Sequence, residues 1–194
     1  MHHLPTTAFL DRDGVINRKM PEGSYVERWE QFEFLPGAIE ALGLLADAGI
    51  RTVVVTNQRG VALGRMTMAA VDEIHGRMQA ALAARHAQCA AVLVCPHDEG
   101  GCDCRKPRIG LFRQAQALMP QIDISRSIVV GDSASDLLAA ADLGCPSYLV
   151  AVEADAAAIV AAHPSLAIQA SGPSLLDVVT GLLGRTATGG SPTV

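Results

Sequence analysis

Short apolar segments alternate with longer segments of helical periodicity along most of the chain. The short segments are rich in β-branched residues and predict buried strands at 8–10, 52–56, 91–94, 128–130 and 147–150. The longer segments predict helices at 37–49, 67–86, 109–119 and 135–143, with Thr67 as an N-cap. A helix near 156, a strand at 166–168 and a helix from about 173 complete the series. This alternation predicts a three-layer, Rossmann-like α/β fold in which helices cover both faces of a parallel sheet.

The length of the chain, 194 residues, suits one domain with its own hydrophobic core. We expect this domain to span residues 1–183, and the polar segment 184–194 to be a disordered tail. No segment between the predicted elements is long enough to form a large cap domain. Because ligands of parallel α/β sheets bind beyond the carboxyl ends of the strands, we expect the functional site at that edge.

Charge and hydropathy narrow the classes of function. The formal net charge of −5 gives no basic surface of the kind that nucleic acid or an anionic membrane requires. The start of the chain lacks a signal-peptide pattern, and the longest uncharged stretch, 156–176, contains prolines and a histidine that a single spanning helix would not carry. We therefore expect a cytoplasmic, monomeric protein that acts on a small molecule.

Two aspartates follow the first predicted strand, in the segment Leu10-Asp11-Arg12-Asp13-Gly14. A polar turn would also explain this pattern. The chemical alternative is phosphate-ester hydrolysis, in which Asp11 attacks phosphorus and Asp13 acts first as general acid and then as general base. Two carboxylates repel a phosphate dianion, so this chemistry requires a divalent cation, and oxygen ligands favour Mg²⁺. Gly14 would let the backbone approach the phosphate closely.

Polar residues also follow the other predicted strands. Thr56 and Asn57 end the second strand and offer hydroxyl and amide groups to phosphate oxygens. Lys106 is one of two lysines in the chain and a candidate for neutralising the transferring phosphoryl group. Asp132 follows the fourth strand and can complete the magnesium shell, and Asp136 can orient its neighbours. Taken singly, the last two could be a helix cap and a solvated acid.

The motifs DRDGVIN, TNQ, RKP and GDSASD together resemble the four motifs of the haloacid-dehalogenase superfamily, from about residue 9 to 150. The resemblance implies an aspartyl-phosphate intermediate on Asp11, with Asp13 as acid and base and Lys106 as charge clamp. It also implies a catalytic Mg²⁺ held by Asp11, Asp13 and Asp132. In this superfamily the residue matching Asp13 meets the metal through its backbone carbonyl.

Three cysteines and a histidine lie close together in the sequence, at Cys95, His97, Cys102 and Cys104. A disulfide or incidental cysteines would be alternative explanations. Three thiolates and an imidazole favour a tetrahedral Zn²⁺ site, and the full shell indicates a structural metal that braces the segment delivering Arg105 and Lys106. Cys89 and Cys145 lie in apolar surroundings and are predicted to be packing residues.

The cysteine motif followed by RKP resembles the zinc-containing branch of the superfamily, which includes phosphatases of heptose 1,7-bisphosphate and of histidinol phosphate. The segments 23–26 and 32–37 are closer to the heptose enzymes, which implies hydrolysis of the 7-phosphate of the bisphosphate. The chain departs from this branch in a shorter loop between His97 and Cys102. It also departs at Ser133, where many heptose enzymes carry a lysine.

The resemblance and the positive charges together suggest a set of substrate-binding residues. These are Arg18, Lys19, Tyr25, Thr56, Asn57, Gln58, Arg59, Arg105 and Ser133. Histidinol phosphate remains an alternative substrate because Glu22 could pair with its ammonium group. A further alternative is a non-catalytic module that binds zinc or phosphate. His75, on an Ala-rich helix, is predicted to be a surface or core residue without a catalytic role.

Overall fold

The computed structural model describes residues 4–187, which form a six-stranded parallel sheet flanked by helices. The strands are β1 (Thr7–Leu10), β2 (Arg51–Asn57), β3 (Ala91–Cys95), β4 (Ser127–Gly131), β5 (Ser147–Val150) and β6 (Ile168–Gly172). The helices are α1 (Ala38–Asp47), α2 (Met68–Ala83), α3 (Gly110–Leu118), α4 (Ala134–Leu143), α5 (Glu153–Ala162) and α6 (Leu175–Ala187). The strand order is β3-β2-β1-β4-β5-β6. The predicted α/β fold is confirmed.

The central strand β1 is fully buried and divides the core into two layers. Leu10 packs in one layer with α1 and α6, whereas Phe9 packs in the other, where its ring lies 5.0 Å from that of Phe112 in an edge-to-face contact. Successive side chains of a strand point to opposite faces, so a strand covered by helices on both sides has no solvent-exposed position. This explains why β1 reads as a continuous apolar run rather than an alternating one.

The register of the central strands determines where the motifs meet. Leu10 is aligned with Val54 on β2 and with Val130 on β4. The residues that follow these three positions therefore emerge at one edge of the sheet. The segment after β1 also carries a cluster of stacked and edge-to-face aromatic rings, formed by Trp29, Phe32 and Phe34.

Most predicted boundaries lie within a few residues of those observed, and Thr67 caps α2 by accepting from the backbone N–H of Ala70. The last strand was predicted at 166–168 but lies at Ile168–Gly172, where it pairs with β5. Helix α6 continues to Ala187, into the segment predicted as a tail; the rest of that segment, 188–194, lies outside the described residues. None of the helices in residues 4–187 has the length and apolar character needed to cross a membrane.

Candidate active site

Three carboxylates converge at the carboxyl edge of the sheet, and we call Asp11, Asp132 and Asp136 the acidic cluster. Asp11 follows β1, Asp132 follows β4, and Asp136 lies in the first turn of α4; one oxygen from each lies within 4.8 Å of the others. In the described part of the chain, Oδ1 of Asp132 is buried without a hydrogen-bond partner. A buried, unpartnered carboxylate oxygen suits a cation. The donor set therefore fits the predicted Mg²⁺.

Gly14 makes the close approach of these segments possible. Its φ of +88° belongs to the left-handed region that favours glycine, and a Cβ at this position would clash with the carboxylate of Asp132. Any larger residue would displace Asp132 from the cluster. From the sequence, Gly14 was predicted to let the backbone approach a phosphate. In the structure, Gly14 lets the backbone approach Asp132, which is a candidate metal ligand.

Lys106 connects the acidic cluster to the second strand. Its Nζ lies 2.9 Å from Asp11 Oδ1 and 2.7 Å from Asp136 Oδ1, and it donates to the carbonyl of Val55 at 2.7 Å. Burial alone would lower the pKa of Lys106, but the charges of Asp11 and Asp136 raise it above its usual value. The side chain is therefore a permanently charged ammonium group beside the candidate nucleophile.

Asn57 holds Lys106 in place. Its Oδ1 accepts from the backbone N–H of Lys106 at 3.0 Å, and its amide group donates to the carbonyl of Lys106 at 3.1 Å. The paired hydrogen bonds fix the backbone that carries the ammonium group. Asn57 therefore both fixes the backbone of Lys106 and lines the active-site cavity.

Asp11 is an unusual carboxyl group. Burial raises its pKa to about 7; Lys106 opposes this shift, while the charges of Asp136, Asp132 and Asp13 add to it. Without a metal, Asp11 is therefore partly protonated near neutral pH. A cation at the acidic cluster would favour the ionised form that a nucleophile needs.

The carboxylate of Asp13 lies outside the acidic cluster and is held by three side chains. Arg12 Nη2 donates to both of its oxygens at 2.9 Å, Asn17 donates at 2.9 Å and Gln58 at 2.8 Å. Burial would raise the pKa of Asp13, but the Arg12 charge and these hydrogen bonds outweigh it and hold the pKa below its usual value. Because both carboxylate oxygens are engaged by these side chains, the backbone carbonyl is the group that Asp13 can offer to a metal.

A cavity of about 340 Å³ opens above the acidic cluster. Among the predicted substrate residues, Tyr25, Asn57, Gln58 and Ser133 line it. Three predicted basic residues, Lys19, Arg59 and Arg105, also line it, as does Glu22. The structure thus brings most of the predicted substrate set around one space.

Two predicted substrate residues lie elsewhere. Thr56 is buried beneath the cavity, where its hydroxyl accepts from Gln58 Nε2 at 2.8 Å. Arg18 forms an exposed ion pair with Glu33 at 2.8 Å and is absent from the cavity lining formed by the described residues. In this conformation neither residue faces the substrate space.

The basic residues of the cavity are paired with acids of the chain. Lys19 Nζ lies 2.6 Å from Asp132 Oδ2, Arg59 pairs with Asp98 at 2.6 Å, and Arg105 approaches Glu99 at 3.8 Å. The acids that pair with Arg59 and Arg105 are exposed to solvent, so these pairs are weak and an anionic ligand can replace the acids. The cavity therefore holds positive charge that a phosphate can use.

The cysteine cluster, formed by Cys95, His97, Cys102 and Cys104, lies where β3 ends and along the following loop. Its donor atoms lie within 4.8 Å of one another, with neighbouring contacts between 3.3 and 3.7 Å. All five cysteines, each within the described residues, are free, so the disulfide alternative is not formed. Donors at about 2.0–2.3 Å from a central tetrahedral ion would show separations of this size. The residues present therefore fit Zn²⁺.

Three buried residues near Asp13 were not assigned to the site from the sequence: Arg12, Asn17 and His75. Arg12 is fully buried, and His75 on α2 is 6% exposed. The charge of Arg12 at the end of an apolar strand was the available signal, because a buried guanidinium requires partners. His75 is distant in sequence and carried no comparable signal.

The fold and the site define a hydrolase that acts on phosphate esters. A sequence profile described as HAD-hydrolase-like matches residues 103–174. The D-glycero-alpha-D-manno-heptose-1,7-bisphosphate 7-phosphatase of Mycobacterium tuberculosis (strain CDC 1551 / Oshkosh) is 46% identical over 148 residues, covering 73% of this chain and 77% of the relative. The D-glycero-beta-D-manno-heptose-1,7-bisphosphate 7-phosphatase of Pseudomonas putida is 39% identical over 142 residues, covering 73% and 79%.

Solved structures agree with these relatives. The D,D-heptose 1,7-bisphosphate phosphatase of B. bronchiseptica, complexed with magnesium and phosphate, matches with a TM-score of 0.83 and 33% identity over 93% of this chain and 99% of that one. The enzyme of Burkholderia thailandensis matches with a TM-score of 0.67 and 30% identity over 92% and 98%. The chain belongs to the haloacid-dehalogenase-like family of heptose-1,7-bisphosphate 7-phosphatases.

Proposed function

We propose that this protein hydrolyses the 7-phosphate of D-glycero-D-manno-heptose 1,7-bisphosphate through an aspartyl-phosphate on Asp11. The observation that carries this proposal is the position of Asp11, in contact with Lys106 and within 4.8 Å of the Asp132 carboxylate. The named activities of the relatives supply the substrate. The product would serve the synthesis of activated heptose for surface polysaccharide.

The first step transfers the phosphoryl group to the enzyme. Asp13 must take up a proton as the phosphate dianion binds beside it, because its pKa is held low in the free protein. Asp11 then attacks phosphorus, the bond between phosphorus and the sugar oxygen breaks, and Asp13 gives that proton to the departing oxygen. Lys106 offsets the negative charge that gathers on the phosphoryl oxygens. Mg²⁺ held by Asp11, Asp132 and the carbonyl of Asp13, with Asp136 orienting its neighbours, would supply further neutralisation.

The second step regenerates the enzyme. Asp13, now ionised, accepts a proton from a water molecule whose oxygen attacks the phosphorus of the aspartyl-phosphate. The bond between phosphorus and Asp11 breaks, inorganic phosphate leaves, and Asp11 returns as a carboxylate. The hydrogen bonds that hold the Asp13 carboxylate suit a group that must act twice from one position.

The phosphate that is not hydrolysed binds to the basic residues of the cavity. Arg105 follows the cysteine cluster directly, and Arg59 and Lys19 line the same cavity. A phosphate would replace Glu99, Asp98 and Asp132 as their partners, which charge-assisted hydrogen bonds favour. Tyr25 and Ser133 line the cavity and would contact the sugar.

The cysteine cluster is proposed to hold a structural Zn²⁺. Four ligands fill a tetrahedral shell and leave no position for substrate. In the metal-free protein, burial would raise the pKa of Cys102, but hydrogen bonds from Cys104 and the Arg105 backbone outweigh it and lower the pKa to about 6, whereas burial raises the pKa values of Cys95 and Cys104. Cys102 is therefore the thiolate that is ready for a metal, and binding would displace the protons of the other two thiols. Because reduced thiols are required, we also propose a cytoplasmic location, and we retain the prediction of a monomer.

Histidinol phosphate is a second candidate substrate because Glu22 lines the cavity and could accept its ammonium group. The discriminating experiment compares kcat/KM for both anomers of heptose 1,7-bisphosphate with kcat/KM for histidinol phosphate, with Mg²⁺ and with a chelator. We expect Mg²⁺-dependent turnover and a preference for a heptose bisphosphate. A preference for histidinol phosphate would overturn the substrate assignment, and an absence of all turnover would favour a binding module.

A further inference from the structure

The fully buried guanidinium of Arg12 has a partner that lies outside the cavity. Its Nη1 donates to Nε2 of His75 on α2 at 2.9 Å, while its Nη2 donates to both oxygens of Asp13. Nε of Arg12 is buried without a partner in the described part of the chain. The guanidinium is therefore fixed at two points, by Asp13 on one side and by His75 on the other.

His75 can only accept in this contact, since an arginine side chain offers donors alone. Nε2 must therefore carry the lone pair, and the ring must be neutral. Burial and the charge of Arg12 together lower the pKa of His75 to about 3, although the charge of Asp13 opposes them. A leucine or phenylalanine would fill the same space but would leave Nη1 of a buried charged group without an acceptor.

We propose that His75 is a positioning residue for the reaction: it holds the guanidinium of Arg12, and Arg12 holds the carboxyl group of Asp13 for proton transfer at the leaving oxygen. This inference rests on the proposed function, because it requires Asp13 to be the acid and base. His75 does not line the cavity formed by the described residues, so its effect must pass through Arg12.

Among the three side chains that hold the Asp13 carboxylate, Arg12 makes the strongest contact. Asp13 is also held by Asn17 and Gln58, but each of these neutral amides donates to one oxygen only. Arg12 is the partner that contacts both oxygens and carries charge. Without the contact to His75, the guanidinium of Arg12 would be free to rotate. The carboxyl group of Asp13 would then be misplaced, while the other active-site residues would stay in position.

The test uses the dependence on the leaving group. A sugar alkoxide needs a proton from Asp13 to depart, whereas p-nitrophenolate departs without one. For H75F in the Mg²⁺-loaded, full-length enzyme, we expect kcat/KM on heptose bisphosphate to fall by about 30-fold, which is less than the roughly 10²- to 10⁴-fold contribution of a general acid because Asp13 is misplaced and not removed. We expect kcat/KM on p-nitrophenyl phosphate to fall by less than about threefold, because its phosphoryl transfer does not use the acid.

A conservative variant separates positioning from packing. H75Q can place an amide oxygen near the site of Nε2 and should recover kcat/KM on the sugar phosphate to within about fivefold of the parent enzyme. M78L, on the same buried face of α2, alters packing without a described contact to Arg12 and should affect both substrates equally and slightly. H75L replaces H75F if the phenylalanine variant does not fold, as judged by its melting temperature.

Two outcomes would overturn the inference: equal losses on both substrates in H75F or H75L, or the same loss in H75Q as in the apolar variants. Failure of the proposed function has a different signature. In that case the parent enzyme itself would not turn over heptose bisphosphate, and the comparison of the variants would have no reference rate.

Discussion

The acidic cluster and the cysteine cluster lie at the same edge of the sheet but are built in opposite ways. All four donors of the cysteine cluster come from one strand end and the loop after it, within 95–104. The three carboxylates come from two strand ends and a helix, as far apart in the sequence as Asp11 and Asp136. A short loop can assemble the first set around an ion, whereas the second exists only after β1 and β4 have paired.

The two clusters also differ in what surrounds them. The cysteine cluster offers four soft donors that complete a shell, which suits a metal that braces the chain. The acidic cluster has fewer donors and has Lys106 and a cavity beside it, which suits a metal whose remaining positions meet substrate. We infer that one site contributes folding energy and the other chemistry. Variants of each site should therefore affect different properties.

The largest expected effect concerns the acidic cluster. D11N removes the nucleophile and should lower kcat by at least about 10⁴-fold, as the loss of a covalent nucleophile does in other hydrolases. The melting temperature should stay equal or rise, because burial disfavours the charged form of Asp11. Steady-state kinetics and thermal unfolding check both expectations. Residual turnover above this limit would identify another nucleophile.

The cysteine cluster should respond in the reverse order, with metal and stability lost before activity. C102S should reduce bound zinc to a trace and lower the melting temperature by about 5 °C or more, since zinc binding is coupled to folding. Activity should fall by about tenfold, through the displaced Arg105 and Lys106. Elemental analysis and calorimetry measure these quantities.

The matched control is C89S, because Cys89 lies outside the cluster and packs against the core at partial burial. It should retain the zinc content of the parent protein. If C102S also retained its zinc, the cysteine cluster would not be a metal site and the comparison of the two centres would fail.

Substitution of Lys19 tests whether this residue, which contacts Asp132 of the acidic cluster, also binds the substrate. Its Nζ contacts Asp132, so K19Q should raise KM for a sugar bisphosphate by about tenfold through the loss of one charged hydrogen bond. kcat should change little, because Mg²⁺ would take the place of Lys19 at Asp132 and leave the ammonium group to the phosphate that is not hydrolysed. R77Q, which removes the surface ion pairs of Arg77 with Glu73 and Glu30, is the control and should leave KM unchanged. An unchanged KM in K19Q would restrict Lys19 to pairing with Asp132.

The sequence was informative where chemistry and chain order coincide. Asp11 and Asp132 directly follow apolar strands, and parallel strands bring their ends together, so the α/β fold and the meeting of these two carboxylates could be predicted. The third carboxylate of the cluster is that of Asp136, which was predicted only to orient its neighbours, whereas the predicted shell contained Asp13. The donors of the cysteine cluster were predictable from their spacing alone, although their metal remains a proposal.

The sequence was less informative where the outcome depends on side-chain orientation. Nothing in the spacing indicates that Arg18 pairs with Glu33, or that Thr56 lies beneath the cavity rather than facing it. The contact between Arg12 and His75 spans 63 positions and depends on how α2 packs against the end of β1. Pairings of this kind follow from tertiary packing, which periodicity and motif spacing do not encode.

The smallest expected effect concerns the pH dependence of Mg²⁺ binding at the acidic cluster. Burial raises the pKa of Asp11 to about 7, so protons compete with Mg²⁺ for this carboxylate as the pH falls through that value. The apparent Kd for Mg²⁺ should therefore rise by about threefold between about pH 7.5 and 6.5, as expected for one competing proton. In the metal-free protein the sign for stability is opposite: protonated Asp11 is the favoured buried form, so stability falls as the pH rises from about 4 to 7.

Calorimetric titration of Mg²⁺ at both pH values measures the effect, with D11N as the control that should show a weaker but pH-independent affinity. A pH-independent Kd in the parent protein would mean that Asp11 is fully ionised before the metal binds, and that the acidic cluster is already neutralised by Lys106 and Lys19.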